Sequence, residues 1–138
     1  MAISGCGSSG SEASGQVPAT TTPTRSAATA DSALRFTTTE FAFAPMTATA
    51  KAGKLTLTLV NDGKVPHELV LLKTKEKADS LKVKTGRVSE AASVGEVSET
   101  AAGATKSTTL TLKPGAYVFV CNIPGHYQDG MRGTLTVR

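Results

Sequence analysis

The chain has 138 residues, 39% of them hydrophobic and 19% charged, enough apolar side chains for one core and too many for global disorder. No run approaches the roughly 18 uninterrupted apolar residues of a membrane-crossing helix, so the chain is expected not to span a bilayer. The formal charge of +4 would suit nucleic acid, but 4% aromatics, no Trp and no interleaving of Arg or Lys with aromatic residues argue against that partner.

Residues 1–33 differ in composition from the rest. Ile3-Ser4-Gly5-Cys6, an apolar residue and two small ones before a Cys, resembles the lipobox of bacterial lipoproteins, although the charged and apolar regions of a signal peptide are missing ahead of it. Behind it, residues 7–33 are almost entirely Ser, Gly, Ala, Thr and Pro with single charges. Such a segment cannot bury enough apolar surface to offset its ordering entropy. The expectation is a lipidated Cys6 and a disordered linker, with one domain over 34–138. Cys6 and Cys121 then have unrelated roles, and no disulfide joins them.

From Leu34 onward the sequence alternates with the period of strands. Leu55, Leu57 and Leu59 share one face, with Thr56 and Thr58 on the other. Strands are predicted at about 34–39, 46–51, 54–60, 67–73, 94–99, 106–112, 116–121 and 132–138. Residues 74–93 break the alternation, and a short helix is allowed for there. Asn61-Asp62-Gly63, Lys113-Pro114-Gly115 and Pro124-Gly125 supply turns. In the strand before Cys121, Tyr117 and Phe119 oppose Val118 and Val120, so both of its faces should be covered. Seven or eight short strands at this density predict an all-β antiparallel sandwich or barrel.

The chemistry is concentrated at the end of that strand. Cys121, His126 and Met131 follow one another as Cys-x4-His-x4-Met in a Pro/Gly loop. A thiolate, an imidazole and a thioether are soft or borderline ligands, a set that favours copper over magnesium or calcium. His67, in Val65-Pro66-His67-Glu68, is the only other histidine, and a strand start can present it to the same end of the sandwich. One metal ion per chain is expected. Zinc also accepts Cys and two His, but structural zinc sites favour Cys-x2–4-Cys spacing, which this sequence lacks.

The loop Cys121–Met131 with Arg132-Gly133-Thr134-Leu135-Thr136-Val137 behind it, and Val65-Pro66-His67-Glu68-Leu69-Val70 before it, resemble the ligand motifs of the cupredoxins. These are the small type 1 (blue) copper proteins, among them plastocyanin, azurin, auracyanin and sulfocyanin. The loop spacing is nearer the auracyanin and sulfocyanin type than the shorter loop of plastocyanin. The resemblance covers about residues 34–138. It implies a Greek-key β-sandwich and one copper with equatorial ligands His67, Cys121 and His126 and axial Met131. Pro66, Glu68 and Asn122 would flank these ligands, and the exposed edge of His126 would be the electron exit. Many cupredoxins carry Asn after the first His, where its side chain ties the two ligand loops together. Glu68 stands there instead. Either its carboxylate lies near the copper and favours the oxidised state, or it points to solvent or bonds a nearby amide. In both cases its backbone N–H can reach the Cys121 sulfur.

The reading that follows is an extracytoplasmic, lipid-tethered one-electron carrier and not an enzyme. The alternative is a copper delivery or storage protein, although delivery proteins favour surplus Met and His, which this chain lacks. Residues from Leu34 onward carry 14 Lys and Arg against 9 Asp and Glu, with Lys73, Lys75, Lys77, Lys82 and Lys84 in the irregular segment. The segment is either a solvated loop or a docking site for an acidic redox protein or anionic lipid. Pro45, Met46, Pro66, Pro124 and Tyr127 are expected to form an apolar collar around His126, on a monomer that meets a membrane only through its anchor.

Overall fold

The computed structural model describes residues 32–138, so Cys6 and all but the last two residues of the expected linker lie outside the described part. Eleven strands form: β1 Ser32–Thr39, β2 Ala42–Ala44, β3 Thr47–Ala50, β4 Gly53–Asn61, β5 His67–Lys73, β6 Val83–Lys84, β7 Arg87–Val88, β8 Ser93–Thr100, β9 Thr105–Leu112, β10 Gly115–Val120 and β11 Arg132–Val137. One sheet has the order β2-β1-β4-β9 and the other β3-β11-β10-β5-β8, with β6 and β7 paired apart. The two larger sheets make the Greek-key sandwich.

All eight predicted strands are present, with ends shifted by at most two residues. Three short strands, β2, β6 and β7, are additional, and the count of seven or eight was too low. The sheets are mixed rather than antiparallel, because β1 runs parallel to β4 and β3 parallel to β11. A period of two is the same in either direction, so the alternation carries no information on this point. No helix occurs among the described residues. Residues 74–92 instead form a closed excursion whose ends meet where the Lys73 N–H donates to the Ala92 carbonyl at 2.9 Å. Thr85 and Gly86 take φ of 53° and 77° at the tip of its β6–β7 hairpin, a left-handed pair that helix cannot accommodate.

The inward parity of each sheet fills the core. Leu55, Leu57 and Leu59 of β4 meet Leu69 and Leu71 of β5 and Phe119 of β10, all at 0–1% exposure. Phe119 is the hub, with its ring 4.7 Å from Phe36 and 5.2 Å from Phe43, centroid to centroid. Its neighbour across β11 is Gly133, where any Cβ would overlap the Phe119 ring. The opposite parity of β5 and β10 is covered too. Val70, Leu72, Val118 and Val120 pack beneath Val88 and Tyr127, with Ala78 and Leu81 against them. Thus the excursion is the lid of a second, smaller apolar layer, as the two-sided pattern of β10 predicts.

Candidate metal centre

His67 opens β5 directly after the loop Asp62–Pro66. That loop is laced from two sides. Asn61, fully buried, donates from Nδ2 to the Val65 and Thr100 carbonyls at 2.8 and 2.9 Å and accepts the Gly63 N–H at 2.9 Å. Glu40, in the turn between β1 and β2, accepts the Lys64 and Val65 N–H groups on Oε1 at 2.7 and 3.2 Å. The Lys64 N–H does most to hold the Glu40 carboxyl below the usual carboxylate range. The same oxygen lies 3.3 Å from His67 Nε2. The other ring nitrogen, Nδ1, is buried and has no hydrogen-bond partner.

Cys121 follows the last residue of β10, and the loop behind it folds back on itself. The Cys121 N–H donates to the Met131 carbonyl at 3.0 Å, the Met131 N–H to the His126 carbonyl at 3.1 Å and the His126 N–H to the Ile123 carbonyl at 3.0 Å. These bonds bring His126 Nδ1 to 3.4 Å from Cys121 Sγ. One donor atom each from His67, Cys121 and His126 lies within 4.8 Å of the others. Met131, fully buried, is held by its backbone to both loop ligands.

The excursion clamps this loop from outside. Asn122 exchanges two hydrogen bonds with the Val88 backbone, at 2.7 and 3.0 Å, and donates to Glu90 at 2.6 Å. The Gly125 N–H donates to the Gly86 carbonyl at 3.0 Å. The Tyr127 hydroxyl donates to the Ala78 carbonyl at 2.6 Å and accepts the Leu81 N–H at 3.0 Å. The Arg132 guanidinium stacks over the Tyr127 ring, 5.4 Å from its centroid.

Burial raises the Cys121 thiol above its ordinary value, so without metal it is protonated at neutral pH. Burial, and then the neighbouring His67, lowers His126, which keeps its ring neutral and its lone pair available. A buried imidazole nitrogen without a partner is costly. The ring that carries it lies together with a thiol and a second imidazole, a soft donor set that fits a copper ion.

Two expectations change. Tyr127 is buried under the excursion at 4% exposure and is no part of a collar around His126. Phe41 takes that place, 37% exposed, its ring edge-on to His126 with centroids 5.0 Å apart. Glu68 donates its backbone N–H to Cys121 Sγ at 3.5 Å as expected. Its carboxylate, however, shares the outer face of β5 with Val70 and Leu72, and Oε1 is buried without a partner. Pro66 is exposed at the end of its loop.

Burial, followed by Glu96 and Glu90, pushes the Glu68 carboxyl above its ordinary 4.5. The unfolded chain therefore loses this proton at lower pH than the folded one, and stability falls as pH rises from about 4.5 through the raised folded value. In metal-free protein Glu68→Gln should raise the melting temperature at neutral pH by a few degrees, a gain that fades as pH falls below the ordinary carboxylate value. Melts across that range check the sign. A lower melting temperature at neutral pH would mean that attraction to the Arg87 charge, which opposes the shift, outweighs burial.

Asn61 did carry a signal in the sequence. It continues the inward parity of Leu55, Leu57 and Leu59, and an amide on a core face must find partners. Glu40 and Phe41 carried none, since only the tertiary fold brings their turn to the ligand loop.

The sequence profile of copper binding proteins, plastocyanin/azurin family, matches residues 30–138. Auracyanin-B of Chloroflexus aurantiacus is 54% identical over 37 residues, 26% of this chain and 16% of that protein. The copper-resistant cuproprotein CopI of Rubrivivax gelatinosus is 32% identical over 98 residues, 70% of this chain and 59% of that protein. The chain thus spans less than two thirds of either relative. Among solved structures, dithionite-reduced auracyanin of Roseiflexus castenholzii superposes with a TM-score of 0.65 at 25% identity, over 78% of this chain and 97% of that one. Auracyanin B gives 0.63 at 28% identity, over 78% and 88%.

Proposed function

Because the chain belongs to the plastocyanin/azurin family of copper-binding proteins, we propose that it is a one-electron carrier with a single type 1 copper held by His67, Cys121 and His126, with Met131 as axial ligand. The observation that carries the reading is the buried, unpartnered Nδ1 of His67 in a donor cluster with Cys121 and His126. Copper in such a site supplies a one-electron change between Cu(II) and Cu(I). The chain's own residues keep the donors in place through it. Asn61 and Glu40 fix one loop, and Asn122, Gly125 and Tyr127 fix the other, so little has to move. His126 is only partly buried, and its ring beside Phe41 is the contact through which a partner would exchange electrons. Family members of this kind are carriers and not enzymes.

The partner we propose is an acidic redox protein. Lys84 and Arg87 are exposed on the β6–β7 hairpin and Lys82 just before it, and the hairpin tip touches Gly125 next to His126. A lipidated Cys6, joined to the domain through residues 7–33, would hold a monomeric domain outside the cytoplasm, and the lipobox-like Ile3-Ser4-Gly5-Cys6 supports this. A second reading, copper delivery, storage or resistance, is favoured by the likeness to CopI.

Loading with Cu(II) should produce an intense visible thiolate-to-copper band that one electron per chain bleaches. Reduced protein should react faster with an anionic oxidant than with a cationic one of equal driving force, and added salt should close the gap. A colourless Cu(II) form sinks the copper assignment. Rapid loss of Cu(I) to a modest chelator, together with slow electron self-exchange, decides for copper handling.

A further inference from the structure

We propose that Glu40 is the positioning residue of the first ligand: through one carboxylate oxygen it sets the tautomer and orientation of His67 and lends the ring negative charge. The inference rests on the copper reading above and adds to it a residue that no ligand motif contains.

Three donors converge on Glu40 Oε1: the N–H groups of Lys64 and Val65 and the Nε2 edge of His67, at 2.7, 3.2 and 3.3 Å. An ionised carboxylate only accepts, so the neutral ring carries its proton on Nε2. Nδ1 is left with its lone pair, and this is the atom that is buried and unpartnered. Among the described residues nothing else polar holds the ring, because Nε2 has no other hydrogen-bond partner there and Nδ1 has none. A carboxylate behind a ligating imidazole fixes its orientation and raises its basicity.

Gly63 provides an independent observation. Its φ lies outside the left-handed region, so the backbone does not require glycine there. A Cβ at this position would overlap Glu40 Oε1, so the missing side chain leaves the space in which the carboxylate sits. Gly63, Glu40 and the two loop amides form one fitted unit behind His67.

Two variants separate charge from orientation. Glu40→Gln keeps an acceptor oxygen facing the two amides and the ring but removes the charge. Glu40→Ala removes both. The carboxylate lies 3.3 Å from Nε2 of the first ligand and its side chain is about one-third exposed, so its charge would favour the more positive Cu(II) state. In Glu40→Gln the ratio of reduced to oxidised copper at a fixed ambient potential should therefore rise about tenfold, equivalent to ~59 mV for one electron. In metal-free protein, long-range 1H–15N spectra should show His67 protonated on Nε2 alone in the wild type and in Glu40→Gln. Glu40→Ala should give a mixture of tautomers. Gly63→Ala should reproduce that mixture, and in a Glu40→Ala background it should add nothing further.

An unchanged copper ratio in Glu40→Gln, or a wild-type tautomer in Glu40→Ala, overturns the proposal. If wild-type protein gives no thiolate–copper band, the copper reading fails, and the metal-free spectra still decide the role of Glu40.

Discussion

Replacing Cys121 by serine should abolish the visible copper band and weaken Cu(II) binding by more than about 100-fold, since groups that merely support a ligand already cost 10–100-fold when removed. A serine hydroxyl is a hard donor that stays protonated at neutral pH, so it offers copper neither the charge nor the softness of a thiolate. The fold should survive. The side chain is nearly isosteric, and the new hydroxyl can accept the Glu68 N–H that now points at Sγ. The cost of a slightly imperfect buried polar group is about 1 kcal/mol. Visible spectra and melting of the metal-free variant separate the two effects. An intact band in Cys121→Ser would show that the thiol is not a ligand.

Truncating Phe119 to alanine should produce the largest loss of stability, about 3–5 kcal/mol. Its ring lies between Phe36 and Phe43 and fills the space that Gly133 leaves open across the sheet. The backbone hydrogen bonds of β10 to β5 and β11 keep the cavity from collapsing. Against a total of roughly 5–15 kcal/mol for a domain, this is a large fraction. Urea unfolding of metal-free protein should show a lower midpoint with an unchanged slope. A loss under about 1 kcal/mol would mean that Phe36 and Phe43 close over the gap. Cys121 stands two residues along the same strand face, so any such repacking should also appear as a shift of the copper band.

The strands and the ligands were legible for different reasons. Alternation marked β4 and β10 because each strand has at least one face in the core, and the eight predicted strands follow from that rule alone. Direction does not alter the rule, so the parallel pairings of β1 with β4 and of β3 with β11 stayed hidden. The ligand cluster was legible because scarce residues, two His and one in-domain Cys, fall at the start of β5, just past the end of β10 and in the loop that follows it. Parity also bore on Glu68: with His67, Leu69 and Leu71 facing inward, residue 68 belongs with Val70 and Leu72 on the far face. What supports the ligands was not legible. Glu40 lies 27 positions from His67, and no local pattern links them. Tyr127 was assigned to the wrong environment because its neighbours are Pro, Gly and charged residues. Its ring is buried by a segment almost fifty positions upstream, whose irregular sequence resembles solvated loop.

The ties between the excursion and the ligand loop bear on how this centre could be transplanted. Asn122, Gly125 and Tyr127 all bond to backbone groups between Ala78 and Val88. An eleven-residue cassette from Cys121 to Met131, moved alone onto another sandwich, would bring every C-terminal donor with it. It would leave behind the carbonyls and amides that hold those donors still. The transferable module is discontinuous: the ligand loop together with residues 78–88 and the strand faces of β5 and β10 beneath them.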